Sequence, residues 1–249
     1  MATTRIQLCG RITLELEGRR LEAGLSGRQG RLLFVFLALN RLRTVSRDEL
    51  AGAIWPEEAP AGLDANLSVI LSRLRRLLGA EALEGRGGVR LVLPADAFVD
   101  VEVAARKIHE AEAAVHIQDW SRAVAAATIA YLISGRPFLP AEEAPWVLEQ
   151  RRWLDDVHLR ALESDAAASL GIGGSEVTAA ERDARRLIEL AAYRESGHRL
   201  LMEALARRGN SAEALLVYDR LRVLLRDELG AAPSRVSQAL HRQLLGETD

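Results

Sequence analysis

Aromatic residues are scarce in this chain, at 4% of 249 residues. A core short of large flat side chains must be built from aliphatic ones. Ala, Leu, Arg and Glu dominate the composition, and these lose little side-chain freedom in a helix. The single cysteine, Cys9, excludes an internal disulfide and has no partners for a metal site. No apolar run approaches the ~18 residues of a membrane span. The N-terminal "MATTRIQLCGRITLELEG" lacks the basic start and long apolar stretch of a signal peptide. A cytoplasmic protein without a membrane partner is the expectation. With 49% hydrophobic and 27% charged residues, a packed core is expected and wholesale disorder is not.

Catalytic constellations are missing too. His109, His116, His158, His198 and His241 are scattered, with no second ligand at helical i+4 spacing. No Ser/His/Asp set, no paired carboxylates suited to acid–base work and no metal-ligand cluster stand out. "GIGGS" (171–175) has close glycines but lacks the phosphate-loop lysine and follows no strand, so it reads as an interhelical loop. His198 reads as a packing or hydrogen-bonding residue. An enzyme, a cofactor and a metal are all unexpected.

What is present is uneven. The formal net charge is −2, yet residues 1–95 hold fourteen Arg against ten Asp and Glu, a net of +4. The remainder is correspondingly acidic, which suggests two domains with different partners, 1–95 and 96–249.

Short alternating segments at 5–8, 12–16 and 19–23, punctuated by Gly10 and Gly18, read as small strands. A buried helix is expected over 28–41. "TVSRDELAGAIW" opens with a capping box, Ser46 against Glu49, starting a helix over 46–54. "PEEAPAG" (56–62) is a loop. A longer helix over 62–78 should end at Gly79 in a left-handed cap. "ALEGRGGVRLVLP" (82–94) then reads as a β-hairpin. Beyond Asp100, helices are expected over 100–117, 119–133, 144–170, 176–191, 195–208, 211–229 and 234–245, paired into a tetratricopeptide-like array. Trp55, Trp120, Trp146 and Trp153 anchor packing between helices. Trp146 and Trp153, seven apart, have a groove between repeats as their alternative place.

"ANLSVILSRLRRLLG" (65–79) decides the reading. On a helical wheel Leu63, Leu67, Leu71, Leu74 and Leu78 gather on one side. Opposite lie Ala65, Asn66, Val69, Ser72, Arg73 and Arg76, with Ser68 and Arg75 on the flank. Small residues let a helix approach base edges. Val69 suits a thymine methyl, Asn66 a base edge, and Arg73, Arg75 and Arg76 phosphate or guanine. Taken alone, such arginines read as solvated charge. The capped helix before this one makes a helix-turn-helix, and the hairpin after it makes a wing with Arg86 and Arg90 near phosphate. The fold class expected is mainly α with a small β part: an N-terminal winged helix-turn-helix followed by an all-α array.

"VSRDELAGAIWPEEAPA" (45–61), "NLSVILSRLRRLLG" (66–79), "FVDVEVA" (98–104) and "ESGHRLLMEALARRGNSAEALLVYDRLRVLLRDELGAAPS" (195–234) resemble the SARP-type bacterial transcriptional activators. That family joins a response-regulator-type winged helix to a tetratricopeptide-like bacterial transcriptional activator domain. The resemblance implies promoter binding on direct repeats of double-stranded DNA, recruitment of RNA polymerase and a homodimer on DNA. It also marks Glu57 and Glu58 as polymerase-contact candidates, since the loop before the recognition helix touches polymerase in related winged helices. As plain solvent-facing acids of a turn they would read equally well. Two departures stand out. Ile70 and Ser68 occupy positions often polar in the family, frequently histidine and glutamine. The wing reads "GGVRL" without the usual tyrosine. They leave room for a second reading, an interaction module whose winged helix has lost tight DNA binding and whose array holds a protein or peptide.

Overall fold

The computed structural model describes residues 4–246, except Ser26, Ala59 and the side chain of Ala80. Strand β1 (Arg5–Gln7) pairs antiparallel with β2 (Thr13–Leu16), Ile6 opposite Leu14, and β2 with β3 (Arg19–Arg20). The third strand is shorter than the 19–23 read from sequence. Glu22–Gly24 turns instead into a 3₁₀ helix, where Gly24 lies so close to Leu77 that a Cβ would sit 2.4 Å from its Cδ1.

Helix α1 (Gly27–Leu39) buries Leu32, Leu33, Phe34, Val35, Leu37 and Ala38, as its near-continuous apolar run predicts. A short strand, β4 (Val45–Ser46), leads directly into α2 (Arg47–Ile54). The capping box at Ser46 is complete: its hydroxyl accepts from the Glu49 N–H at 3.1 Å, and Glu49 accepts from the Ser46 N–H at 2.9 Å. The Ser46 N–H also holds the Glu49 carboxyl below its ordinary range.

Helix α3 (Leu63–Leu78) follows, ending at Gly79. This glycine has positive φ (104°) but extended ψ (152°), so the left-handed cap expected there is replaced by an extended exit into the Ala80–Ala82 3₁₀ turn. Strands β5 (Leu83–Glu84) and β6 (Gly88–Leu91) form the hairpin, and β6 also pairs with β4. β7 (Phe98–Val99), not foreseen, runs parallel to β1 and completes a sheet ordered β3-β2-β1-β7. Two residues are too few to show an alternation.

The remaining helices are α4 (Asp100–His116), α5 (Trp120–Ser134), α6 (Pro145–Ile172), α7 (Val177–Leu190), α8 (Glu195–Arg207), α9 (Ser211–Leu229) and α10 (Arg235–Gly246). Each lies within a few residues of its expected span. The chain forms two compact units, one running through Val103 and including Arg136–Leu154, the other Ala104–Gly135 and the chain from Asp155.

In the first unit, Trp146 stacks edge-on against Phe36 (5.2 Å) and donates to the Ala53 carbonyl at 3.0 Å. It therefore anchors the three-helix core and lines no groove between repeats. Asp100, 1% exposed, accepts from the Leu8, Cys9 and Val101 N–H groups, all at 2.9 Å. Burial raises its carboxyl and, together with the Asp100 charge, the Cys9 thiol.

The second unit is a stack of helix pairs. Leu201, Met202 and Leu205 of α8 meet Ala184 of α7 and Ala214, Val217 and Tyr218 of α9 in one core. Elsewhere contact rests on small residues: Ala111 of α4 against Ala126 and Ala127 of α5, and Gly171 so close to Trp120 that a Cβ would lie 2.4 Å from the indole. Of "GIGGS", Gly171 and Ile172 extend α6 beyond its expected end, and the break falls at Gly173, which leads into a Gly174–Glu176 3₁₀ turn with Gly173 and Gly174 at positive φ. His198 is buried, its Nε2 at 2.9 Å from the Ala192 carbonyl.

Candidate nucleic-acid interface

Helix α3 divides as its wheel predicts. Leu67, Leu71, Leu74 and Leu78 are buried, and Ala65, Asn66, Ser68, Val69, Ser72, Arg73 and Arg76 are exposed. Val69, a β-branched apolar residue, is 48% exposed in the middle of this polar face. Leu63 is only half-buried. Ile70 is 8% exposed, so it completes the core edge and leaves the outer face polar.

Several outer residues carry internal bonds as well. Asn66 Nδ2 donates to the Ala61 carbonyl (3.1 Å), tying the helix to its entry loop. Ser68 Oγ accepts from Arg47 Nη2 at 2.9 Å. Arg75, half-buried, donates from Nη2 to the Gly85 carbonyl at 2.6 Å and links α3 to the hairpin turn. Arg90 pairs with Glu84 across the hairpin at 2.8 Å. Among the described residues, Arg73, Arg76 and Arg86 have no ion pair and are exposed. Three uncompensated guanidiniums on one helix and its wing make a cationic surface, the electrostatic requirement for phosphate.

The wing turn depends on two glycines. Gly85 has φ +88°, and a Cβ there would stand 2.0 Å from the Gly88 carbonyl oxygen. At Gly88 a Cβ would lie 2.5 Å from Thr44 Cγ2, just before β4, so a side chain there would have to displace the threonine. Arg86 stands exposed within that turn. Glu57 and Glu58 are exposed in the loop between α2 and α3.

Sequence reasoning overlooked Arg47. It follows the N-cap Ser46 and reaches Asp64 and Ser68 on α3. Its only signal was its place at the start of a helix, which says nothing about the neighbour it touches. Arg43, whose guanidinium pairs with Glu49 at 2.8 Å, was likewise not singled out.

Comparison with known proteins identifies both domains. Residues 22–87 match the family described as "Transcriptional regulatory protein, C terminal", and residues 99–245 match "Bacterial transcriptional activator domain". The chain is 31% identical over 248 residues to the regulatory protein AfsR of Streptomyces coelicolor, covering 97% of this chain and 24% of AfsR. It is 28% identical over 255 residues to the transcriptional regulatory protein EmbR of Mycobacterium bovis, covering 96% of this chain and 62% of that one. It thus spans about a quarter of AfsR and under two thirds of EmbR. A solved structure of Mycobacterium tuberculosis EmbR, in complex with a low-affinity phosphopeptide, superposes with a TM-score of 0.86 at 24% identity. That match covers 98% of this chain and 65% of the other, and it supports the fold: a winged helix followed by a helical array.

Proposed function

Because the chain belongs to the bacterial transcriptional activator domain family, carried here behind a winged helix in the SARP arrangement, we propose that it is a sequence-specific DNA-binding transcriptional regulator, an activator that recruits RNA polymerase. The observation that carries the reading is the exposed outer face of α3 beside a wing with its own free arginine. In this reading α3 enters the major groove. Asn66, Val69, Ser72 and Arg73 meet base edges, with Ser68 at the flank. Arg75, Arg76, Arg86 and Arg90 supply phosphate contacts, whose strength falls steeply with salt.

Residues 1–95 carry the DNA-binding role, and residues 96–249 mediate dimerisation on direct repeats or partner sensing. Glu57 and Glu58, exposed before the recognition helix, are assigned to RNA polymerase. The site of action is the cytoplasm, where the DNA lies, and the chain is assigned binding chemistry with no catalytic step. Among the described residues no helix is long and apolar enough to cross a membrane. Burial of Ile70 weakens the competing interaction-module reading, because the apolar residue at that position fills the core and leaves the outer face polar.

Selection of bound sequences from a random DNA pool at ~0.1 M salt, where nonspecific phosphate binding fades, tests the proposal. Enrichment of paired direct repeats, lost with Arg73→Ala, is expected. A pool that stays random would refute it.

A further inference from the structure

The recognition helix starts without a side-chain cap. Gly62 at its N-cap has a left-handed backbone (φ 73°, ψ 39°) and no side chain to satisfy the free N–H groups of the first turn. The loop leading in carries Pro56 and Pro60, neither of which can donate a backbone hydrogen bond. Besides the bond from Asn66 Nδ2 to the Ala61 carbonyl, a strut arrives from a different helix, bonding acceptors of α3 rather than those N–H groups. Arg47, the first residue of α2, donates from Nη2 to the Asp64 carbonyl at 3.1 Å and to the Ser68 hydroxyl at 2.9 Å. Its Nε lies 3.4 Å from the Asp64 carboxylate.

Exposure is lopsided in this contact. The Arg47 side chain is 26% exposed, while that of Asp64 is 90% exposed. An ion pair with one partner so open to water contributes little by charge alone. The geometry of the fork is what remains. Asp64 and Ser68 stand one turn apart on the same edge of α3, so a planar guanidinium bonded to both resists rotation of the helix about its axis.

Resting on the reading that α3 enters a DNA groove, we infer that Arg47 is a positioning residue that sets the rotational register of α3, with Ser68 as its anchor. Asn66 and Val69 lie two and one residues from these anchor points, on the face turned toward base edges. Hydrogen bonds to bases hold only over about 2.7–3.2 Å, so a small rotation of α3 loses them while phosphate contacts from long arginines adapt. The loss therefore falls on specificity.

Lysine is the diagnostic substitution. It keeps the charge, but one ammonium cannot reproduce a planar fork that bonds a carbonyl, a carboxylate and a hydroxyl together. Two measurements on the full chain test the inference, with thermal unfolding to confirm that each variant is folded. The first is amide exchange at residues 66–68 in the free protein, the first amides of α3 that bond back to a carbonyl, beginning with Asn66 N–H to Gly62. The second is the ratio of affinity for the selected site to affinity for random duplex. Arg47→Lys is expected to speed exchange in that turn and to lower the ratio about tenfold, the value of roughly one base contact, with the salt dependence unchanged. Ser68→Ala should fall part of the way, and the double variant should be no worse than Arg47→Lys alone.

Wild-type exchange and ratio in Arg47→Lys would overturn the inference. So would additive losses in the double variant. Equal weakening on both DNAs by Arg47→Ala, with a salt slope reduced by about 0.9, would make Arg47 a phosphate contact instead. If the wild-type chain selects no sequence, the DNA-binding proposal itself fails, and exchange at residues 66–68 alone decides the clamp.

Discussion

The two units of this chain solve the same problem, satisfying a backbone around an aliphatic core, by different means. In the winged-helix unit the described strands are two to four residues long. Such short strands leave many backbone groups without a ladder partner. Charged side chains fill the gaps. Asp100 accepts from three N–H groups, Arg75 donates to the Gly85 carbonyl, and Arg151 donates to the carbonyls of Phe138, Leu139 and Glu142. Helices of the second unit satisfy most of their own backbones, so side chains are free to pack: leucines and a methionine between α7, α8 and α9, alanines between α4 and α5, and one glycine against Trp120. Charged groups there mostly bridge helix edges, as in the bidentate pair of Arg160 with Glu112 at 2.6 and 2.7 Å. An arginine in the first unit is thus structural as often as it is free, and reading it as a ligand contact requires knowing which.

That contrast can be broken at several points. The largest effect is expected in the array core, where Leu205 is 1% exposed among leucines and a methionine. Leu205→Ala should cost about 2–5 kcal/mol of unfolding free energy, read by denaturant titration; a cost below about 1 kcal/mol would mean the helix pairs repack freely.

Arg73→Ala comes next. With an exposed guanidinium and no partner among the described residues, it should leave Tm unchanged while weakening operator binding by roughly 1–3 kcal/mol. A loss of fold, or unaltered affinity in a filter or fluorescence assay, would each contradict the assignment.

Asp165 sharpens the comparison through pH. Burial, and then the negative charge of Asp183, raises its carboxyl to about 6, and Oδ1 is buried without a partner among the described residues. The folded state therefore holds this proton when the unfolded chain, near its ordinary value, has released it. Stability contributed here falls as pH rises from the ordinary carboxylate range through about 6. Asp165→Asn should raise Tm at about pH 7.5 and match wild type near pH 4; a Tm gain independent of pH would point to packing.

The smallest change is expected at the hairpin. Arg90 and Glu84 side chains are 46% and 56% exposed, so Glu84→Gln should alter stability by no more than about 0.5 kcal/mol. In the proposed role it frees Arg90 for phosphate, and nonspecific DNA affinity should rise slightly at low salt.

Much of this was legible in advance. The capping box at Ser46, the leucine stripe of α3 and the hairpin around "GRGG" depend on residues within one turn or one hairpin of each other. Helix spans in the array follow local apolar spacing in the same way. What escaped was decided at long range: β7 pairs with β1 over ninety residues away, and Trp146 packs on Phe36 from the far side of α4 and α5 in sequence. Ser68 and Arg75 were legible as polar residues on the flank, yet their partners Arg47 and Gly85 were not.

Local periodicity and capping chemistry, then, determined by themselves where helices begin, which face each one buries, and which residues stand outside on α3. Those choices are made by interactions three or four residues apart, which a linear pattern records. Only the tertiary structure decided which of the outer residues are free and which are struts, because a guanidinium reaches across to a neighbouring element whose position no pattern of its own residues specifies.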